Sequence, residues 1–197
     1  SNTALGYFSL GGASLASANT AVGSGALAAH NVGSLAQTFN VAVGFDAGNA
    51  VTTGVNNTLI GGLSGDAITT GGDNVAVGTS ALGANTTASN NIAIGSSALA
   101  ANTTGTGNIA MGRNTLIANT TANYNTGVGH NTLDANTTGA ENTAVGFAAL
   151  GANTTGANNV SVGAASGDAI TTGANNVAIG YNSLTTATTV SDNTAVG

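Results

Sequence analysis

The seven carboxylates of the sequence are spread too widely to cooperate in acid–base catalysis. Such catalysis requires titratable groups that converge on one reacting centre. Asp66 and Asp168 occupy equivalent positions of a 17-residue repeat, six repeats apart. In a stack of β-strands that separation corresponds to ~29 Å. We therefore predict solvated turn carboxylates and no catalytic residue, and the same holds for the other acidic residues, which are Asp46, Asp73, Asp134, Glu141 and Asp192.

The two histidines do not predict a metal site. A protein-bound metal needs several ligands that converge, but His30 falls in a segment with inserted residues and His130 lies many repeats away. The segment Gly61–Asp66, GGLSGD, has the wrong spacing for a calcium-binding β-helix, whose period is about nine residues. We predict no metal and no cofactor. His130 is expected to form an exposed polar pair with Arg113, one repeat before it, without a further partner.

The charge composition excludes two classes of partner. The net charge is −6, and the chain has a single lysine or arginine, which is Arg113. Nucleic-acid binding needs basic groups that neutralise phosphates, so no nucleic acid is expected. No apolar run approaches the ~18 to 20 residues of a membrane helix, so we expect no direct membrane contact in this segment.

A glycine preceded by an asparagine four residues earlier recurs along the whole chain. In a parallel stack, equivalent asparagines lie above one another at ~4.8 Å and their amides can form hydrogen bonds from coil to coil. A recurrent glycine indicates a turn with positive φ or a close backbone approach. We call these residues the ladder asparagines and ladder glycines, and representative pairs are Asn74 with Gly78, Asn91 with Gly95, Asn108 with Gly112, Asn142 with Gly146, and Asn176 with Gly180.

The residues between asparagine and glycine alternate apolar, small, apolar, as in Val75-Ala76-Val77. Period-two alternation of β-branched residues predicts a short strand. A second short strand is expected over the Ala-Asn-Thr-Thr segment, for example residues 101–104. Two adjacent threonines in a strand point to opposite faces, so one outward threonine per coil is expected.

Two positions exchange residue types in a correlated way. Most coils have leucine four residues after the glycine and asparagine seven after it, such as Leu82 and Asn85. Three coils have glycine at the fourth position, and there the seventh becomes Val51, Ile68 or Ile170. Because unfilled volume in a packed interior is costly, we predict that one large apolar side chain per coil fills a common buried column.

These patterns predict an all-β fold, a parallel β-solenoid of about eleven to twelve 17-residue coils. Residues 1–197 form a single repeat domain with a four-residue insertion within residues 24–40, between Gly23 and Gly44. The repeat continues to both ends, so we expect a segment of a longer fibre.

The residue after each ladder glycine differs in type from coil to coil, whereas the residues of a packed column would be similar. We call this series the rib and expect it to be exposed. Because exposed aromatic residues often mark binding surfaces, we expect the rib to be available to a partner. Its large members are Tyr7, Phe45, Arg113, His130, Phe147 and Tyr181.

The sequence Asn142-Thr-Ala-Val-Gly-Phe-Ala-Ala-Leu150 and its equivalents resemble the YadA-like head repeats of trimeric autotransporter adhesins. Similar repeats occur in phage tail-fibre proteins. The resemblance covers essentially the whole chain. It implies a left-handed β-roll and a side-by-side homotrimer whose apolar side chains meet at the trimer axis.

The favoured function is therefore an adhesive or spacer segment of an extracellular fibre on a bacterial surface. Its expected partners are two further copies of itself and a host matrix protein, a cell-surface receptor or a glycan. Two alternatives stay open, the shaft of a phage tail fibre and an ice-binding solenoid with columns of threonine. An enzyme is not expected, because the carboxylates do not cluster.

Overall fold

Short parallel strands, one in every coil, form the main sheet of the protein. The structure is a computed structural model that describes residues 1–12 and 15–197. Within these residues it contains strands and no helix, and therefore no helix that is long and apolar enough to cross a membrane. The strands are β1 (Thr3–Leu5), β2 (Ala16–Ser17), β3 (Thr20–Val22), β4 (Ala36–Gln37), β5 (Val41–Val43), β6 (Thr58–Ile60), β7 (Val75–Val77), β8 (Ile92–Ile94), β9 (Ile109–Met111), β10 (Thr126–Val128), β11 (Thr143–Val145), β12 (Val160–Val162), β13 (Val177–Ile179) and β14 (Thr194–Val196).

The twelve three-residue strands lie in one parallel sheet in sequence order, and β2 and β4 form a separate pair. Each residue pairs with its equivalent in the next coil, as Val75 does with Ile92. The pairing of Thr20 with Val41 keeps this register across the insertion. Most of the residues in 31–37 are exposed, so the extra length lies at the surface. The predicted parallel β-solenoid with 17-residue coils is thus confirmed.

The strand predicted at residues 101–104 is wrong. This segment bends, and the N–H groups of Thr103 and Thr104 both donate to the Thr120 carbonyl of the next coil, at 2.9 and 3.3 Å. In a strand, successive N–H groups point to opposite sides, so two donors to one acceptor are incompatible with a ladder. The adjacent threonines therefore belong to a bend that recurs from coil to coil.

The middle residue of each strand faces the interior, and its two neighbours face outward. Ala76 is fully buried, whereas Val75 and Val77 are half-buried. Because the side chains of a strand alternate between its faces, the small middle residue borders the core and the two larger residues border the surface.

The ladder asparagine is buried in the inner coils of the rod, and it donates to the ladder asparagine of the coil before it. Asn108, Asn142 and Asn176 are at most 1% exposed. The Nδ2 group of Asn142 donates to Asn125 Oδ1 at 3.2 Å, and the Asn142 N–H donates to the same oxygen at 2.9 Å. The amides therefore form the coil-to-coil hydrogen bonds that the repeat predicts.

The ladder glycine after each strand has a positive φ, as a turn at this position requires. The angle is +134° at Gly78, +137° at Gly112 and Gly146, and +121° at Gly180. A Cβ atom at Gly78 would lie 2.6 Å from the carbonyl oxygen of Gly95. The coils can therefore stack at this turn only without a side chain.

The predicted buried column is confirmed. The leucines at the fourth position and the alternatives Val51, Ile68 and Ile170 belong to one continuous buried cluster. The leucines have positive φ, as at Leu82 (+53°), a conformation that costs about 1–2 kcal/mol for a residue with a Cβ. Glycine at this position avoids that cost, but the large side chain must then come from the seventh position.

Leu59 shows how tightly the column is filled. It replaces the small middle residue of a strand and is fully buried. A Cβ at Gly48 would lie 2.6 Å from Leu59 Cδ1, and one at Gly65 would lie 2.7 Å from Leu59 Cδ2. The glycines of two adjacent coils therefore provide the space for its side chain.

The exchange of residue types between the fourth and seventh positions can be tested by a double-mutant cycle at Gly167 and Ile170. Ile170→Asn alone removes a buried side chain and should destabilise the fold by about 2–5 kcal/mol. Gly167→Leu alone adds a side chain beside Leu150 and Ile170, whose δ-carbons lie 3.2 and 3.3 Å from the added Cβ, and should cost about 1–3 kcal/mol. The double variant has leucine at the fourth position and asparagine at the seventh, as five other coils do, and should recover most of the lost stability.

Urea unfolding of the four proteins measures this coupling. Additive losses in the double variant would contradict the shared column.

Candidate functional site

The rib lies at the turn that follows each ladder glycine, and its large side chains project from the surface. The fractional exposures of the aromatic members are 82% for Tyr7, 60% for Phe45, 58% for Phe147 and 75% for Tyr181. Arg113 is exposed, and His130 is half-buried. Such exposure makes these residues accessible to a partner, and binding by the rib stays a prediction.

Three rib residues of successive coils form one stack. Arg113 Nη1 lies 3.4 Å from His130 Nε2, and the rings of His130 and Phe147 are 5.7 Å apart and within 3° of parallel. The expectation that the Arg113–His130 pair has no further partner is therefore wrong. One-coil spacing brings the planar groups into register, and Tyr7, Phe45 and Tyr181 belong to coils outside this stack.

The stack offers a cationic, planar surface on an otherwise acidic molecule. A guanidinium in contact with one of two stacked rings can bind flat or anionic groups by hydrogen bonds and stacking. Among the residues that the structure describes, no carboxylate forms an ion pair with Arg113. The arrangement therefore suits recognition of such groups.

Phe8 is a surface residue that the sequence analysis missed. It is 61% exposed, and its ring centroid lies 6.1 Å from that of Tyr7. Its position, two residues after the ladder glycine, holds mostly small or polar residues in other coils, such as Gly25 and Ser80. That contrast is the pattern that could have identified it.

Four of the seven carboxylate residues are half-buried, namely Asp46, Asp66, Asp134 and Asp168, and the other three, Asp73, Glu141 and Asp192, are exposed. Burial raises the pKa of Asp66, and the nearby Asp46 carboxylate raises it further. Burial also raises the pKa of Asp134, while His130 opposes that shift. In the part of the chain that the structure describes, no three His, Asp or Glu residues lie together as a metal site would require.

The placement of His30 in an inserted loop is wrong. It lies seven residues after Gly23, which is the position of Asn85 in its coil, and its side chain is fully buried. Thr38 Oγ1 donates to Asn19 Oδ1 at 2.8 Å, so the 2.9 Å contact of Thr38 Oγ1 with His30 Nε2 is a bond donated by the ring. The inserted residues follow His30, outside the buried column.

Burial disfavours the charged form of His30 and lowers its pKa from the usual 6.5, and backbone groups of Thr52 and Val51 oppose this only in part. The unfolded chain then binds a proton at a pH where the folded chain does not. Stability is therefore complete above pH ~6.5 and falls as the pH drops through that value towards the folded pKa.

We predict that His30→Asn weakens this acid sensitivity. The change introduces the asparagine that five other coils have at this position beside their leucine. The free energy of unfolding of the unmodified chain should fall between pH 7.5 and 5.5, by at most about 1.4 kcal/mol, because the unfolded chain gains its proton only below pH ~6.5 and the loss is about 1.4 kcal/mol per pH unit from there. The His30→Asn variant should lose less, as measured by urea unfolding at both pH values.

His130→Asn is the matched control, since it removes the other, half-buried histidine. It leaves the buried His30 in place, so the loss of stability between pH 7.5 and 5.5 that we assign to His30 should persist. Equal pH dependence in the His30→Asn variant would contradict the assignment.

The threonine pairs contribute one exposed side chain per coil. Thr104 is exposed, whereas Thr103 is half-buried and its Oγ1 donates to the Thr120 carbonyl at 3.1 Å. This agrees with the expectation of one outward threonine, although the segment is not a strand. Ice binding by that column stays a prediction.

No protein-family model matches the chain, and no curated protein or solved structure matches it either. The functional argument therefore depends on the surfaces described above and on the sequence resemblance.

Proposed function

We propose that the chain is a segment of a homotrimeric extracellular fibre that attaches its bearer to a surface. The observation that carries the proposal is an apolar stripe on the outer face of the main sheet. We define the stripe as the first and third residues of each three-residue strand. All of them are valine, isoleucine, leucine, methionine or threonine, and none is charged.

The stripe is too long and too regular for a surface that only meets water. Its side chains are half-buried or exposed in the single chain, as at Val77, Ile94 and Met111. Eleven steps of ~4.8 Å make it roughly 50 Å long. Monomeric proteins rarely expose continuous apolar patches of more than a few hundred Å², which favours an assembly that covers it.

A further copy of the chain is the partner that fits the stripe best. A parallel copy has the same 17-residue period, so its side chains stay in step with the stripe along the full length. Rotational symmetry about an axis parallel to the rods closes such an assembly. The number three comes from the resemblance to trimeric adhesin heads.

The rib supports a role in attachment. It lies one residue beyond the ladder glycine that follows the stripe and carries exposed aromatic residues and Arg113, which are residue types enriched at binding hot spots. In the proposed trimer each copy presents one rib to a matrix protein, a cell-surface receptor or a glycan. On this proposal the segment is extracellular, at a bacterial surface or in a virion tail. A tail-fibre shaft would use the same trimer and differ in what its ends carry.

Light scattering of the segment in solution tests the trimer. We expect about three times the 18.5 kDa of one chain. Ile94→Lys places a charge in the middle of the stripe and should lower the mass to that of a monomer, because a buried unpaired charge costs several kcal/mol per copy.

Thr104→Lys, on an exposed side chain away from the stripe, is the matched control and should stay trimeric. A folded, monomeric unmodified segment would contradict the proposal.

A further inference from the structure

A cavity interrupts the rib surface near the start of the chain. Its volume is about 330 Å³, and it is lined by Tyr7, Phe8, Ser24, Gly25, Asp46 and Asn49. Phe8 and Asp46 occupy the same position in coils two steps apart, which separates their backbones by ~9.6 Å. The coil between them contributes only serine and glycine, so a notch opens there. We call this cavity the notch.

Gly25 forms the floor of the notch and determines how Asp46 lies in it. A Cβ atom at Gly25 would coincide with Asp46 Oδ1, so the carboxylate lies directly over this glycine. Asn49 Nδ2 donates to Asp46 Oδ1 and to the Gly25 carbonyl, both at 3.1 Å. The carboxylate is therefore held in place by neighbouring groups.

The fixed polar groups of the notch are mainly acceptors. The two donors of the Asn49 amide are used within the protein, and the Gly25 and Asp46 N–H groups donate to the carbonyls of Tyr7 and Ser24. What faces a ligand is a carboxylate and two aromatic rings, with the hydroxyl groups of Tyr7 and Ser24. A sugar would require several donors as well as acceptors, whereas a cation requires only acceptors and π-faces.

The charge around the notch also favours a cation. Arg113, the sole lysine or arginine of the sequence, is four coils from Asp46, or ~19 Å. In the next coil Asp66 is close enough for Asp46 to raise its pKa, so the two carboxylates repel each other. A bound cation would relieve this repulsion.

The rings of Tyr7 and Phe8 form the apolar wall. Their centroids are 6.1 Å apart and the planes are tilted by 37°, so the two faces diverge around a small group. A cation over an aromatic face gains a favourable electrostatic attraction to the ring, and the nearby carboxylate adds an ionic contact.

We propose that the notch binds an organic ammonium group, with its charge paired to Asp46 and its alkyl groups against Tyr7 and Phe8. The group belongs to a free quaternary amine of the choline type or to a lysine side chain of a protein partner. The proposal goes beyond the trimer and does not depend on it.

Titration of the isotope-labelled chain by nuclear magnetic resonance tests the site, with choline and n-butylammonium as probes. We expect saturable shifts at residues 7, 8, 25, 46 and 49. Tighter binding of choline would identify a quaternary amine, and tighter binding of n-butylammonium would identify a lysine side chain.

Asp46→Asn keeps the acceptor for Asn49 and the positive φ of +51°, which asparagine tolerates. This variant and Tyr7→Ala should each bind the amine probes about three- to thirtyfold more weakly than the unmodified chain does. Asp168→Asn and Tyr181→Ala are the matched controls in a distant part of the rod and should bind like the unmodified chain.

Three outcomes would overturn the proposal, namely no saturable shift with either probe, equal loss in the control variants, or binding of methyl glycosides in place of the amines. The solution mass of the same samples is measured separately, so failure of the notch and failure of the trimer can be told apart.

Discussion

The buried asparagine ladder is the interaction on which the rest of the structure depends. Asn91 illustrates it: its backbone N–H donates to Asn74 Oδ1 at 3.0 Å, and its Nδ2 donates to the Gly105 carbonyl at 2.9 Å. Its own Oδ1 accepts the N–H of Asn108 at 3.0 Å. Each amide thus joins its own coil to the coil before it and to the coil after it. Leaving one of these buried groups without a partner would cost about 1–3 kcal/mol, so every coil must return to the same point.

This constraint fixes the coil length and makes the interior narrow. Extra residues can be added only outside the ladder, as the surface position of residues 31–37 shows. Inside, one large aliphatic side chain per coil fills the column. A second asparagine ladder runs from Asn85 to Asn153 and ends at Ile170, where Asn153 Oδ1 is left without a partner. Such an interior has no space for a pocket, so the contacts that we propose lie on the outside, at the stripe, the rib and the notch.

The repeat made most of the fold predictable, because an interaction that recurs in every coil leaves the same residue at the same interval. The ladder asparagines, the ladder glycines and the exchange between Leu82-type and Ile68-type coils could all be identified in this way. Features confined to one coil could not. Nothing in the sequence indicates that Leu59 fits because Gly48 and Gly65 flank it. The interior position of His30 does follow from its spacing to Gly23, which equals that of Asn85 to Gly78, but assigning the insertion to the residues from His30 onward conceals it. The stack of His130 on Phe147 depends on side-chain rotation that spacing does not determine. The bend at residues 101–104 was mistaken for a strand because threonine is enriched in strands and also favours turns.

Hydrogen exchange of the ladder amides, followed residue by residue under native conditions, tests the central claim most directly. If the ladder holds the coils together, the backbone N–H groups of Asn91, Asn108 and Asn125 can exchange only when neighbouring coils separate. They should then be among the slowest in the chain and exchange with a common free energy close to that of global unfolding. The N–H of Ser34, in the exposed segment of residues 31–37, should exchange much faster. Ladder amides that exchange as fast as that of Ser34 would show that they exchange without separation of the coils, and would contradict this account.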